Sequence, residues 1–174
     1  MTIYLKRITS FMLAIVLLTV SVLCSPVLEA NAEASIEMDY TVSTDTLKVG
    51  DTVDILLYFK KFDTNGVACT AFQVDLFIDP EIFSLVSSEC LLDRTGALMS
   101  TAKYNSPLLK TIYFAPSTGL PANSEKITSF TLKLEKDFST EEEVLLEVRT
   151  AMALDIDSNY FDMVYQAPVL KCVP

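Results

Sequence analysis

The chain has 174 residues, enough for one domain of ordinary size. Its 13 Lys and Arg stand against 23 Asp and Glu, a formal net charge of −10, which disfavours nucleic acid and anionic lipid as partners. It contains no histidine, so the commonest general base, the commonest transition-metal ligand and every Ser-His or Cys-His nucleophile pair are excluded. A pair of carboxylates is the remaining route to catalysis, and no such pair stands out.

At the N-terminus Lys6 and Arg7 precede the apolar run 11–23, and Ala30-Asn31-Ala32 offers a small-x-small cleavage site. This is the layout of a secretory signal peptide over residues 1–32. A transmembrane anchor is the competing reading, but Thr9, Ser10, Thr19 and Ser21 interrupt the run and leave it marginal for spanning a bilayer. A lipoprotein signal ending at Cys24 wants a small residue where Leu23 stands. Cleavage predicts one secreted, extracellular domain over residues 33–174, with no membrane segment left. That domain carries 11 basic and 22 acidic residues, a net −11. The acids are dispersed apart from Glu141-Glu142-Glu143, which reads as a solvated surface. Cys69, Cys90 and Cys172 remain, so at most one disulfide can form, and the spacing does not choose it. No Cys-x-x-Cys spacing suggests zinc or redox work.

Residues 36–42 alternate, as a first strand would. Lys48-Val49-Gly50-Asp51 is a turn, and 53–59 reads as a second strand. Asp63-Thr64-Asn65-Gly66 is a turn signal with asparagine before glycine. From Ala71 the chain alternates strictly. Phe72, Val74, Leu76 and Ile78 fall on one face, and Ala71, Gln73, Asp75 and Phe77 on the other. Asp79-Pro80 ends this third strand, because proline cannot donate to the ladder. Further strands are expected at 82–86, 98–104 (a weaker one), 111–115, 127–134, 144–148 and 163–173. About nine short strands, split by Gly, Pro, Asn and Asp turns, argue for an all-β sandwich or barrel.

Several of these stretches in order resemble the cohesin domain of cellulosomal scaffoldins. Leu47-Lys48-Val49-Gly50-Asp51-Thr52-Val53 is similar to that family's opening turn. Residues 66–80, from Gly66 through the alternating strand to Asp79-Pro80, resemble its third strand, and Phe83-Ser84-Leu85-Val86 the apolar strand after it. Thr111-Ile112-Tyr113-Phe114-Ala115 and the strand 127–134 complete a similarity covering nearly all of residues 35–173. The resemblance implies a nine-stranded jelly-roll β-sandwich without catalysis. It implies that one flat sheet face binds dockerin modules of secreted glycoside hydrolases or scaffoldins, in a cellulosome-type polysaccharide-degrading complex. Calcium is expected on the dockerin, and no cofactor or metal on this chain. By position, the docking face comprises Ala71, Gln73, Asp75 and Phe77, then Ala102 and Tyr104, then Thr111 and Tyr113, with Met152 and Leu154 completing it. Tyr113 and Phe77 are its aromatic anchors, and Gln73 and Asp75 set register by hydrogen bonding. Some well-known members carry Asn and Asp where Ala71 and Gln73 align, so partner specificity is expected to differ.

Two other functions fit a secreted sandwich. A carbohydrate-binding module usually presents a coplanar strip of aromatics; this chain has no tryptophan and its tyrosines do not line one strand. A surface adhesin usually carries an anchoring motif, and no sortase-type motif is found. Asp155-Ile156-Asp157-Ser158-Asn159 has the odd-position spacing of a calcium loop's start. It lacks the central glycine, and Gln166 stands at the closing position, so a turn is the expectation.

Overall fold

A computed structural model describes residues 35–174; the predicted signal peptide lies outside them. The described chain is all-β: β1 (Ser35–Val42), β2 (Thr46–Leu47), β3 (Thr52–Asp63), β4 (Ala71–Phe77), β5 (Phe83–Cys90), β6 (Met99–Asn105), β7 (Leu108–Phe114), β8 (Lys126–Leu134), β9 (Glu142–Leu145), β10 (Val148–Leu154), β11 (Asp162–Tyr165) and β12 (Val169–Cys172). Nine strands fill two principal sheets, ordered β11-β1-β3-β8-β5 and β10-β4-β7-β6, and a small third sheet, β2-β12-β9, completes the set. The nine-stranded sandwich expected from the pattern is therefore present, with three short strands beyond it.

Alternation decides which faces meet. Along β3, Val53, Ile55, Leu57 and Phe59 are buried while Thr52, Asp54 and Lys60 are exposed. Along β8, Ile127, Phe130, Leu132 and Leu134 are buried. Across the core, Phe72 of β4 meets Phe59 of β3 edge-to-face, with ring centroids 5.2 Å apart. The third sheet adds Leu47, Leu170 and Cys172 to the same core. Its central strand arises because Pro168, which has no N–H, interrupts the predicted strand 163–173. β11 stays on β1 in the first sheet, and β12 pairs with β9 and β2 instead.

The turns behave as their residues require. Gly50 takes φ +89°, its N–H donates to the Leu134 carbonyl at 2.8 Å, and Asp51 caps the turn by accepting from the Lys48 N–H at 2.9 Å. Asn65 and Gly66 both take positive φ, at 51° and 77°, as a tight turn built on asparagine-glycine does. One expectation changes. The predicted strand 144–148 is two strands, β9 and β10, separated at Leu146-Glu147, and β10 continues to Leu154. No strong apolar–polar contrast marks Arg149-Thr150-Ala151-Met152-Ala153-Leu154, so the pattern does not carry the strand on to Leu154. Cys69, Cys90 and Cys172 are all buried free thiols, with no disulfide among the described residues.

Candidate partner-binding face

The sheet β10-β4-β7-β6 has one face in the core and one toward solvent. In an antiparallel ladder, directly opposed residues project to the same side, so the register sorts every side chain. Leu154, Ala71, Phe114 and Met99 oppose one another across all four strands and form one outward row. Met152, Gln73, Ile112 and Thr101 form the next, and Thr150, Asp75, Lys110 and Lys103 the third. Phe77, Leu108 and Asn105 form a fourth.

Six of the ten predicted site residues lie on this outward face: Ala71, Gln73, Asp75, Phe77, Met152 and Leu154. Four do not. Tyr113 opposes Phe72, and Thr111 opposes Val74, so both point into the core; they are 0% and 1% exposed. Ala102 opposes Thr111 and Tyr104 opposes Leu109, and both pack against the core from β6. The error is one of parity: a one-residue slip exchanges the faces of an entire strand. In β7 the apolar residues Ile112, Tyr113 and Phe114 run consecutively, so apolarity alone cannot say which face is which. Lysine could have. Lys110 shares parity with Ile112 and Phe114, and Lys103 with Met99 and Thr101. A lysine in a half-buried strand turns its ammonium to water. On β6 and β7 sequence reasoning thus missed Met99, Thr101, Lys103 and Asn105, and Leu108, Lys110, Ile112 and Phe114; on β10 it missed Thr150.

Tyr113 has a structural task instead. Its hydroxyl donates to the Gly119 carbonyl at 2.9 Å and ties the loop after β7 onto the sandwich. Gly119 takes φ +67°, and a Cβ there would meet the Cβ of Ala68 at 3.0 Å, so the loop closes this tightly only with glycine. The Leu120 N–H donates to the Cys69 carbonyl at 2.6 Å and completes the closure. Burial raises the pKa of the Tyr113 phenol, with the Asp93 charge adding to it. Burial likewise pushes the nearby Cys69 thiol up to about 11.

The outward face is graded from apolar to charged. A shallow depression of about 270 Å³ lies among Ala71, Gln73, Met99, Ile112, Phe114, Met152 and Leu154. Met99 and Phe114 are 47% and 41% exposed at its edge, and the neighbouring Leu98 is 76% exposed. Further along, the Gln73 amide donates to Asp75 at 2.9 Å and the Lys110 ammonium lies 3.2 Å from the same carboxylate. Asp75 is 4% exposed, so its charge is covered and committed rather than offered to a partner. A second hollow of about 500 Å³ opens beside Lys103 and Lys110. At the far end the Arg149 guanidinium lies 4.9 Å over the Phe77 ring and also pairs with Glu147 at 2.9 Å.

Two other regions are less suited to a partner. On the outer face of the five-stranded sheet, a hollow of about 470 Å³ is edged by Asp54, Ser87, Glu89, Ser129 and Thr131. There Thr131 donates to Asp54 at 2.6 Å and Ser87 lies 3.1 Å from Thr131, so much of its polar capacity is used internally. The stretch Asp155 to Asn159 closes as a turn. The Asp155 carboxylate accepts from the Asp157 and Asn159 N–H groups and from the Asn159 amide, each at 2.8 Å. These bonds, the Asn159 side-chain bond foremost, lower its pKa. Among the described residues no group of three or more Asp, Glu or Cys side chains is placed to hold a metal ion.

No protein-family model matches the chain, and no curated protein matches it in sequence. Solved structures match its fold. A chain of a type I cohesin–dockerin complex from Clostridium thermocellum is 17% identical with a TM-score of 0.62, the match covering 80% of this chain and 96% of that one. A non-cellulosomal cohesin from the archaeon Archaeoglobus fulgidus is 10% identical with a TM-score of 0.59, covering 82% and 93%. The sixth cohesin of scaffoldin B from Acetivibrio cellulolyticus, solved with a dockerin, is 10% identical with a TM-score of 0.62, covering 78% and 97%. The class these define is an all-β sandwich module. The fold of this chain is the cohesin fold, as the ordered sequence motifs imply.

Proposed function

We propose that the chain is a secreted receptor module whose β10-β4-β7-β6 face binds a dockerin, and so docks dockerin-bearing proteins in a cellulosome-type polysaccharide-degrading assembly. The observation that carries this is the in-register apolar row Leu154, Ala71, Phe114 and Met99 with Met152 and Ile112 beneath it. The core does not use these side chains, and a cluster of exposed Met and Phe on a flat sheet is the composition of an interface centre. Similarity to cohesins solved as dockerin complexes supports the choice of partner, and the fold also occurs in a family 33 glycoside hydrolase from Clostridium perfringens. The role is binding without catalysis, any calcium belonging to the dockerin. Export through a cleaved signal over residues 1–32 places the module outside the cell.

The test is calorimetric titration of the purified protein with a panel of calcium-loaded dockerins, repeated in chelator. Binding by one or more dockerins that is lost with calcium, and that falls about tenfold or more in Phe114→Asp, is the expected result. Failure of every dockerin, with retention of the protein on cellulose or xylan, overturns it.

A further inference from the structure

We infer that the segment this face receives is acidic at one end: it lays apolar side chains on Met99, Ile112 and Phe114 and seats a carboxylate at Lys103 and Lys110. The inference rests on the docking reading and adds the partner's charge and polarity. Lys103 and Lys110 oppose each other directly across β6 and β7. Two like charges in that relation repel, because opposed Cβ atoms in such a pair stand only about 5 Å apart. Lys110 is partly relieved by Asp75, whose oxygen lies 3.2 Å away. Lys103 forms no ion pair among the described residues. The chain is acidic overall, at −10, yet the outward residues of β6 and β7 carry two lysines and no acid. The one carboxylate facing them, Asp75, is buried and already engaged by Gln73 and Lys110. Beside the hollow, exposed Lys103 therefore lacks an anion, and half-buried Lys110 has only the one it shares with Gln73.

Position fixes the polarity. The lysine row lies four residues along each strand from the row of Phe114 and Met99, roughly 13 Å at the rise of a β-strand. A helix laid along the strands covers that distance in about two and a half turns. The receiving geometry thus asks for an amphipathic segment with an apolar patch and an Asp or Glu some two to three turns from it on the same side. A basic segment is disfavoured at the same place by like-charge repulsion.

The experiment is a display selection on the protein, using a calcium-loaded dockerin scaffold whose exposed docking-helix positions are randomised. Enrichment of Asp or Glu two to three turns from an apolar anchor is expected, with binding that weakens as salt rises. The recovered dockerins should lose about tenfold or more in affinity for Lys103→Glu. That variant replaces one member of a repelling pair by a partner for Lys110, so its Tm should not fall. Phe114→Asp separates the two levels of the argument. If the recovered dockerins bind Lys103→Glu as well as the native protein, or carry Lys or Arg at those positions, yet lose Phe114→Asp, the charge inference is overturned and the docking face stands. If no dockerin is recovered, or Phe114→Asp binds undiminished, both are overturned.

Discussion

Thr111 offers a direct test of how β7 is turned. Its side chain is buried at 1% exposure, and its hydroxyl oxygen has no hydrogen-bond partner among the described residues. A buried hydroxyl without a partner costs about 1–3 kcal/mol in lost hydration. Thr111→Val keeps the branched shape and removes that oxygen, and valine suits a strand at least as well. The expected gain is about 1–2 kcal/mol, which in a domain of this size raises Tm by roughly 3–6 °C. Thr111→Ser is the counterpart: it keeps the hydroxyl, deletes a buried methyl and lowers stability by about 1 kcal/mol. Thermal and urea unfolding of the three proteins read the difference, and dockerin affinity should be the same in all three. A Tm that falls in Thr111→Val, or an affinity that changes with stability unmoved, refutes the reasoning. The first result means the hydroxyl has a partner; the second means that Thr111 faces outward.

Tyr113→Phe should cost about 1 kcal/mol, the bond to Gly119, while Tyr113→Ala should cost about 3–5 kcal/mol and act through folding rather than docking; a stable Tyr113→Ala protein with impaired docking would place the ring on the outer face after all. Leu76→Asp should abolish the folded state seen by near-ultraviolet circular dichroism, since Leu76 is 1% exposed and faces the core; a folded variant would show the β4 register inverted. Cys69 has its pKa raised from 9.0 to about 11 by burial. The folded state then holds a proton that the unfolded state releases, so this contribution to stability is present below pH 9 and is lost as pH rises toward about 11. Urea midpoints between pH 8 and 11 should therefore fall more steeply for the native protein than for Cys69→Ala, and equal slopes would remove the thiol from the account.

Local sequence determined much of the scaffold. The alternation from Ala71 to Ile78 was enough to turn β4 correctly, because Gln73 and Asp75 alternate with Phe72, Val74 and Leu76. Pro80 ended that strand for want of an N–H, and the Gly50-Asp51 and Asn65-Gly66 turns followed from backbone conformations that few other residues adopt. Six residues of the outward face were legible because they lie on β4 or share its phase across β10. Tertiary structure alone decided the rest. In β7 both faces are apolar, and which one enters the core depends on the pairing of Tyr113 with Phe72 and on a hydroxyl bond to Gly119, six residues on in the following loop. Asp75 reads as a free surface acid, yet it is buried because Gln73 and Lys110 close over it from the same and the adjacent strand. The opposition of Lys103 and Lys110 is likewise invisible until the β6–β7 register is known. Burial of a pattern is a property of one strand, whereas the identity of a face is a property of four, and only their pairing brings those side chains together.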